Sequence, residues 1–136
     1  MAHSRIIKNP HHKEPAKEPV IIAAGYKPGW STDYVAVLLA RKYGANVVLN
    51  LSNIDYVYNK DPRKFKDAKA YTLLSWPEFR KIVGNKWDPG LNAPFDPVAS
   101  KLAQKHGLTV IIMNGKNLAN LKRFFAGKSF KGTVIA

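Results

Sequence analysis

Apolar and polar residues alternate along the chain with periods that change between strand spacing and helix spacing. From Val20 a short continuous apolar run, VIIAA, leads into a glycine-rich turn and then into STDYVAVLLARKYG, where apolar residues recur at helical spacing. This pattern predicts a buried strand, a loop and a helix that ends at Gly44. The same pattern predicts further strands at 46–51, 109–113 and 131–136, and helices that begin after Ser75, Asp96 and Asn117.

The order of these elements indicates an α/β fold. Strands that are apolar throughout and alternate with helices are typical of a mainly parallel sheet covered on both faces. We therefore expect a three-layer αβα sandwich with a mainly parallel sheet. Residues 1–19 are rich in proline, histidine and lysine and show almost no apolar period. They predict a basic, proline-rich arm ahead of a single α/β domain at 20–136.

The charge of the chain favours anionic partners. Its 22 Lys and Arg residues exceed its 9 Asp and Glu residues, which gives a formal net charge of +13 at pH 7. Such a field attracts phosphates and nucleic acids without distinguishing them. A solvated basic surface and a localised anion site both remain open. The aromatic residues do not interleave with basic ones as in a single-strand-binding platform, so nucleic acid is not expected as a partner.

Several classes of site and location are excluded by residues that the sequence lacks. The sequence has no cysteine, which removes disulfides, thiolate nucleophiles and zinc–thiolate sites. No apolar run approaches the roughly 18 residues of a membrane helix, and the first residues lack the apolar core of a secretory signal. We expect a cytoplasmic protein without membrane contact. Histidines 3, 11 and 12 have no further ligand at a suitable spacing, and no metal site among the side chains is predicted.

The stretch GYKPGWSTD, residues 25–33, is the first candidate binding loop. Gly25 and Gly29 permit close backbone approach, Pro28 restricts the turn, and Ser31 or Thr32 is placed to cap the helix that follows. The amides at a helix start attract anions, so a phosphate fits this position. A tight strand-to-helix turn with an ordinary cap would require the same residues, and the loop alone does not decide between the two.

The stretch SNIDYVYNKDP, residues 52–62, is the second candidate loop and follows a predicted strand. Asp55, Tyr56, Tyr58 and Asp61 combine aromatic rings, hydroxyls and carboxylates within seven residues, which suits a nucleoside. An Asx turn at Asp61 and tyrosines that pack into the core are the alternatives. Both loops are expected at the carboxyl ends of strands, where parallel sheets bind ligands.

Three ordered motifs, GYKPGWSTDYVAVLLA, LSNIDYVYNKDP and the closing GTVI, resemble the C-terminal half of the amino acid kinase superfamily, in particular the UMP kinases (uridylate kinases). The family pattern is a glycine-rich turn with Thr-Thr-Asp before a helix, then a strand followed by Thr-x-Val-Asp-Gly-Val-Tyr-x-x-Asp-Pro. The resemblance runs from about Val20 to the end of the chain. It implies the C-terminal part of the amino acid kinase fold.

The resemblance also implies a division of roles between the two loops. The UMP contacts it implies are Gly25, Pro28, Gly29, Ser31 and Thr32. The ATP contacts it implies are Ser52, Tyr58 and Asp61, with Mg²⁺ accompanying ATP. Asp33 matches a family acidic position near the phosphates and is the candidate catalytic residue. Tyr56 stands where the family has glycine, and Ala24 and Tyr26 stand where glycine and threonine are usual.

The sequence lacks the elements that begin the family's pattern. These are a strand with a lysine and Gly-Ser-rich loop for the ATP phosphates, and a Gly-Gly turn with an acidic residue for UMP. We therefore expect a fragment or half-length relative of a UMP kinase that is inert or nearly so alone. Its expected partners are ATP, UMP and either further copies of itself or a chain that supplies the N-terminal half. The alternatives are a noncatalytic binding or storage module on this fold and a basic polyanion-binding protein.

Overall fold

A four-stranded mixed sheet forms the centre of the protein in a computed structural model that describes residues 1–12, 15, 17–86 and 93–136. In chain order the elements are α1 (Thr32–Tyr43), β1 (Val47–Ser52), β2 (Val57–Tyr58), β3 (Ala70–Tyr71), β4 (Leu73–Leu74), α2 (Trp76–Val83), α3 (Pro97–Lys105), β5 (Thr109–Asn114), α4 (Leu118–Phe125) and β6 (Thr133–Ile135). The central sheet has the strand order β1-β5-β6-β4. No helix within the described residues is long and apolar enough to cross a membrane.

The central sheet is mainly parallel, which confirms the predicted fold class. Strands β1 and β5 pair in parallel from Val47 opposite Thr109 to Ser52 opposite Asn114. The β4–β6 pair is also parallel, whereas β5 and β6 are antiparallel. The backbone at Gly132, just before β6, lies very close to β5, since a Cβ at Gly132 would lie 2.9 Å from the Ile112 carbonyl oxygen. Only glycine fits there without a shift of backbone.

Helices begin at the capping residues that the sequence predicts. Ser75 and Glu78 form a reciprocal capping box at α2, and Asp96 and Asn117 accept amide hydrogen bonds at the starts of α3 and α4. Helix α1 ends at Gly44, whose φ of 73° lies in the left-handed region that suits glycine. Local capping chemistry therefore sets where the helices start.

The apolar core lies between the central sheet and helices α1, α2 and α3. Its members include Val37 and Ala40 of α1, Phe79 of α2, Ala99 and Ala103 of α3, and Val110 and Ile112 of β5. All four central residues of β5 are buried, from Val110 to Met113. Burial of successive strand residues means that both faces of the sheet are covered, as in a layered α/β fold.

The N-terminal segment is partly paired with the stretch that follows it. The amides of His3 and Ile7 donate to the carbonyls of Val20 and Ile22 at 2.8 and 2.9 Å, and Ala24 donates to Ile7 at 3.0 Å. Ile7 is buried. The predicted strand at 20–24 is present only as isolated parallel bridges. Residues 13, 14 and 16 of the predicted arm lie outside the described residues, and a boundary at residue 19 stays a prediction.

The long polar loop after β1 contains a small antiparallel pair, β2 with β3, that the sequence pattern does not predict. Thr133 of β6 ties this pair to the central sheet. Its buried hydroxyl accepts a hydrogen bond from the Val57 amide at 2.8 Å and donates to the Tyr71 carbonyl at 2.5 Å. One side chain thus connects both short strands to the core.

Candidate functional site

The first loop ends in a well-formed cap on helix α1. Ser31 has extended backbone, and its Oγ accepts a hydrogen bond from the Tyr34 amide at 3.1 Å. The turn before it is closed by the Trp30 amide on the Lys27 carbonyl at 3.2 Å. Gly29 has a φ of 84°, a conformation that a side chain would strain. The sequence therefore folds here into a turn that exposes backbone at the start of a 12-residue helix.

Asp96 joins this cap to the start of helix α3. The Ser31 hydroxyl donates to Asp96 Oδ2, while Asp96 Oδ1 accepts from the amides of Val98 and Ala99 at 2.6 and 3.2 Å. The residue is only 5% exposed. A buried carboxylate with three donors is firmly oriented. The sequence predicts Asp96 only as a helix cap, because nothing local indicates a partner 65 residues earlier.

Asp33, the candidate catalytic residue, belongs to the same network. Its Oδ2 accepts a hydrogen bond from the Asp96 amide at 3.0 Å. Burial raises the pKa of the Asp33 carboxyl, and the negative charge of Asp96 adds to this effect, while the amide hydrogen bond opposes it. The second carboxylate oxygen makes no hydrogen bond within the described part of the chain. Asp33 is thus an oriented acidic group with one oxygen free for a ligand.

A cavity of about 200 Å³ opens beside this network. It is lined by Gly29, Trp30, Ser31, Tyr34, Asp96 and Val98. Two of the predicted UMP contacts, Gly29 and Ser31, therefore face the cavity, and Pro28, Gly25 and Thr32 do not line it. Thr32 is exposed at the helix start, and a Cβ at Gly25 would lie 4.0 Å from its methyl group. The predicted UMP residues are neighbours, but only part of the set shares one cavity.

We expect Asp33→Asn to raise the thermal unfolding midpoint at neutral pH. The pKa of Asp33 is higher in the folded chain than in the unfolded chain, so ionisation of its carboxyl opposes folding. This cost is absent below the unfolded-state pKa, develops as the pH rises through the folded-state value, and is constant above it. Asparagine keeps an acceptor for the Asp96 amide.

Melting curves recorded from pH 3 to pH 8 test this expectation. The stability advantage of Asp33→Asn over the parent chain should be small at the acidic end and largest at neutral pH. An advantage that does not change with pH would show that the carboxylate charge is not responsible.

An aromatic cluster that was not predicted from the sequence lies around the first loop. Rings of His11, Tyr26, Trp30 and Tyr34 meet edge to face, with centroid distances of 5.5 Å for His11–Tyr26, 5.3 Å for Tyr26–Trp30 and 4.9 Å for Trp30–Tyr34. The Lys27 ammonium lies 5.4 Å from the Trp30 ring centroid. The sequence spacing of 26, 30 and 34 was the available signal, since it brings side chains together across a turn and a helix start.

The predicted ATP residues lie along the second loop. Ser52 ends β1, and its carbonyl accepts from the Gly115 amide at 2.8 Å, which joins the ends of β1 and β5. Tyr58 lies in β2 and its ring meets that of Tyr56 edge to face at 6.4 Å. The Tyr58 hydroxyl has no hydrogen bond within the described residues. Ser52 thus lies at the start of this loop and Tyr58 lies within it.

Asp61 is engaged in a local turn. Its carboxylate accepts from the Arg63 amide at 2.9 Å and from Arg63 Nε at 3.2 Å, and its carbonyl accepts from the amides of Lys64 and Phe65. The Arg63 side chain lowers the pKa of Asp61 by hydrogen bonding and charge. These bonds form the turn that was the alternative interpretation of Asp61. A ribose contact of Asp61 stays a prediction.

A further polar contact lies at the carboxyl edge of the sheet. Asn114 at the end of β5 donates to Asp55 Oδ1 at 2.9 Å and accepts from the Lys116 amide at 3.0 Å. Within the described residues no hydrogen bond or ion pair joins the second loop to the Ser31–Asp96 network, and no group of three acidic or histidine side chains could hold a metal ion. The two predicted loops are therefore not joined directly by a hydrogen bond or ion pair between described residues.

Residues 3–114 match the amino acid kinase family, and the chain belongs to that family. More particularly, the chain is similar to uridylate kinases. The uridylate kinase of Hyperthermus butylicus is 35% identical to it over 116 residues, which are 85% of this chain and 51% of that protein. For the uridylate kinase of Pyrobaculum neutrophilum the identity is 36%, over 85% of this chain and 53% of that protein. The resemblance predicted from the motifs is confirmed, although the family match begins at residue 3, within the predicted arm, and ends at residue 114, before the GTVI motif.

Solved structures agree with this assignment. The crystal structure of uridylate kinase from Archaeoglobus fulgidus has a TM-score of 0.71 to this chain at 32% identity, and the match covers 86% of this chain and 52% of that one. UMP kinase from Bacillus anthracis has a TM-score of 0.70 at 24% identity, which supports the fold alone. The chain thus spans about half the length of the relatives it matches.

Proposed function

We propose that this chain is the nucleotide-binding C-terminal half of a uridylate kinase-like phosphotransferase, which transfers a phosphoryl group from ATP to UMP in pyrimidine nucleotide biosynthesis. The observation that carries the proposal is the network of Ser31, Asp33 and Asp96 at the joined starts of α1 and α3. It holds the Ser31 hydroxyl and the Asp96 carboxylate in fixed positions at a cavity, with Asp33 bonded to the Asp96 amide, in a chain that belongs to the amino acid kinase family.

The acceptor, UMP, binds in this proposal at the first loop. The Ser31 hydroxyl is committed to Asp96 and Tyr34, so its role is to hold the loop in shape. Thr32 is exposed and its hydroxyl has no hydrogen bond within the described residues, which leaves it available to the nucleotide. The backbone amides at the α1 start favour the phosphate. Gly25, Pro28 and Gly29 supply close backbone approach.

The donor, ATP, binds at the second loop, with Tyr58 against the base or ribose and Ser52 and Asp61 at its edges. Mg²⁺ commonly binds one or two protein carboxylates together with substrate phosphates. Such an ion suits this chain, because Asp33 has one free carboxylate oxygen. The ion would neutralise charge on the phosphates. Asp33 would orient the ligand groups through its remaining oxygen.

Catalysis by this chain alone is expected to be negligible. Phosphoryl transfer depends on positioning and on neutralisation of developing charge. The lysine and Gly-Ser-rich loop that the family resemblance assigns to the ATP phosphates has no counterpart in this sequence. The N-terminal half that carries this loop in the family would complete the site, and the completed protein would operate in the cytoplasm.

We expect calorimetric titration to detect separate binding of UMP and of Mg²⁺-ATP. Thr32→Ala should weaken UMP binding about two- to tenfold, the usual range for loss of one hydrogen bond, and leave ATP binding unchanged. Tyr58→Ala should weaken ATP binding by a similar factor and leave UMP binding unchanged. Each variant is the control for the other.

Thr72→Ala is the matched control outside both loops, because Thr72 is exposed and its hydroxyl has no hydrogen bond within the described residues. It should leave both affinities unchanged. If neither nucleotide binds at millimolar concentration, or if both loop variants weaken both nucleotides equally, the proposed function is wrong.

A further inference from the structure

The C-terminal part of the chain carries a cationic surface that the nucleotide sites do not use. Helix α4 and the segment that follows it contain no acidic residue from position 116 to the end of the chain. The exposed cations of this region are Lys116, Lys122, Arg123, Lys128 and Lys131. Among the described residues none of them forms an ion pair. We call these five residues the α4 surface.

The α4 surface is held in shape by side-chain hydrogen bonds. Arg123 Nε donates to the Ser129 carbonyl at 2.7 Å, and a terminal nitrogen donates to Ser129 Oγ at 2.8 Å. Asn120, 5% exposed, binds both the amide and the carbonyl of Lys131 at 2.7 Å. The helix and the following segment are therefore held together, and the backbone positions that carry the cations are fixed relative to each other.

A groove of about 390 Å³ lies between the helix and this segment. Most of its lining surface is apolar, and its polar lining residues include Asn117, Arg123, Ser129 and Lys131. Arg123 uses only some of its five N–H donors in bonds to Ser129, so the others are available to an anion. Positive side chains on both walls give the groove the charge and hydrogen-bonding capacity to hold phosphate groups.

Exposed aromatic surface accompanies the cations. Phe125 is 72% exposed, and its ring lies 5.3 Å from that of Phe124, which in turn lies 5.2 Å from that of Phe130. Lys122 is one helical turn before Phe125, so the two share a face. The sequence KRFFAGKSFK, 122–131, interleaves basic and aromatic residues in the way that the chain as a whole does not.

We propose that the α4 surface binds single-stranded nucleic acid, with phosphates along the groove and a base stacked on Phe125. Arg123 and Lys131 line the groove, and the other three cations of the α4 surface lie on the same helix and its flanking segments. Several cations near one groove suit a repeating phosphate backbone, and a free aromatic face suits an unpaired base. A duplex does not offer the faces of its bases. Helix α4 exposes two large apolar side chains, Leu118 and Phe125, which give little apolar area for a lipid surface.

Fluorescence anisotropy from 50 to 300 mM KCl tests the proposal. The probe is a labelled single-stranded RNA of about twelve nucleotides, a length within the usual site sizes. The triple variant Lys122/Lys128/Lys131→Ala removes three charges from the α4 surface. It should reduce the slope of log affinity against log salt by about two, since each phosphate contact on a single strand contributes about 0.7. Phe125→Ala should weaken binding about fivefold or more.

The matched control is Lys8/Lys66/Lys69→Ala, which removes the same charge from exposed lysines elsewhere. It should change affinity and slope far less. Circular dichroism of each variant verifies folding, and all the substituted residues are exposed. Equal losses in the two triple variants would mean that net charge alone attracts RNA, and would overturn the proposal. So would unchanged binding by Phe125→Ala, no RNA binding at 50 mM KCl, or binding to anionic vesicles in place of RNA. UMP and ATP titrations are independent of all these outcomes.

Discussion

Asp96→Ala is expected to lower the free energy of unfolding by about 2 to 4 kcal/mol. The substitution removes the N-cap of α3, which costs about 0.5 to 2 kcal/mol, and it removes the acceptor of the Ser31 hydroxyl. Because Asp96 is 5% exposed, water can only partly replace these bonds. For a domain of ordinary stability, about 5 to 15 kcal/mol, this is a large fraction of the total. Urea denaturation followed by circular dichroism measures the loss.

Asp96→Asn is the matched control for this prediction. Asparagine caps helices about as well as aspartate, and its carbonyl can still accept the amides of Val98 and Ala99. It also removes the charge that acts on Asp33. We expect a loss well below that of the alanine variant. UMP binding should fall in the alanine variant even where the chain is fully folded, because Ser31 loses its anchor. Equal stability of parent and Asp96→Ala would contradict the assigned role.

The helix starts were predictable because each depends on a few neighbouring residues. Ser31, Ser75, Asp96 and Asn117 cap helices through bonds to amides two or three positions later. A capping residue and the residues it serves stand together in the sequence, so the pattern alone is sufficient. The strands β1 and β5 were predictable from their continuous apolar runs. Only β5 has the burial on both faces that such a run indicates, whereas Val47 and Leu51 of β1 are exposed.

The pairing of distant segments was not predictable from local pattern. The antiparallel step between β5 and β6 and the two-residue strands β2 and β3 depend on contacts between segments far apart in the chain. Val57 meets Thr133 across 76 positions. A two-residue strand within a polar loop has no period to detect. Only tertiary contacts specify it.

The candidate site likewise has a part that was predictable from the sequence and a part that was not. The family resemblance led to Ser31 and Asp33, which the structure brings into one network, but Asp96 was predicted only as a cap. The link between Ser31 and Asp96 spans 65 positions and joins two helix starts. Two capping residues that contact each other can contribute to one site, but the local sequence around each gives no sign of that contact. The bond partners of a capping residue beyond its own helix therefore require the fold.

Thr133→Val should destabilise the chain by about 2 to 4 kcal/mol, although valine has nearly the same shape. The fully buried hydroxyl satisfies both the Val57 amide and the Tyr71 carbonyl. Valine can satisfy neither, and each buried polar group left without a partner costs about 1 to 3 kcal/mol. The control is Thr109→Val in β5, whose hydroxyl has no hydrogen bond within the described residues. Urea titrations should show a large loss for Thr133→Val alone.

The same substitution should separate the two proposed nucleotide sites. Val57 adjoins Tyr58, so release of β2 from Thr133 loosens the loop that is proposed to bind ATP. The network of Ser31 and Asp96 makes no hydrogen bond to Thr133. In the folded Thr133→Val variant, Mg²⁺-ATP affinity should therefore fall severalfold while UMP affinity is unchanged. Equal loss of both nucleotides would mean that the loops respond to global stability, and unchanged ATP binding would mean that Tyr58 does not depend on this anchor.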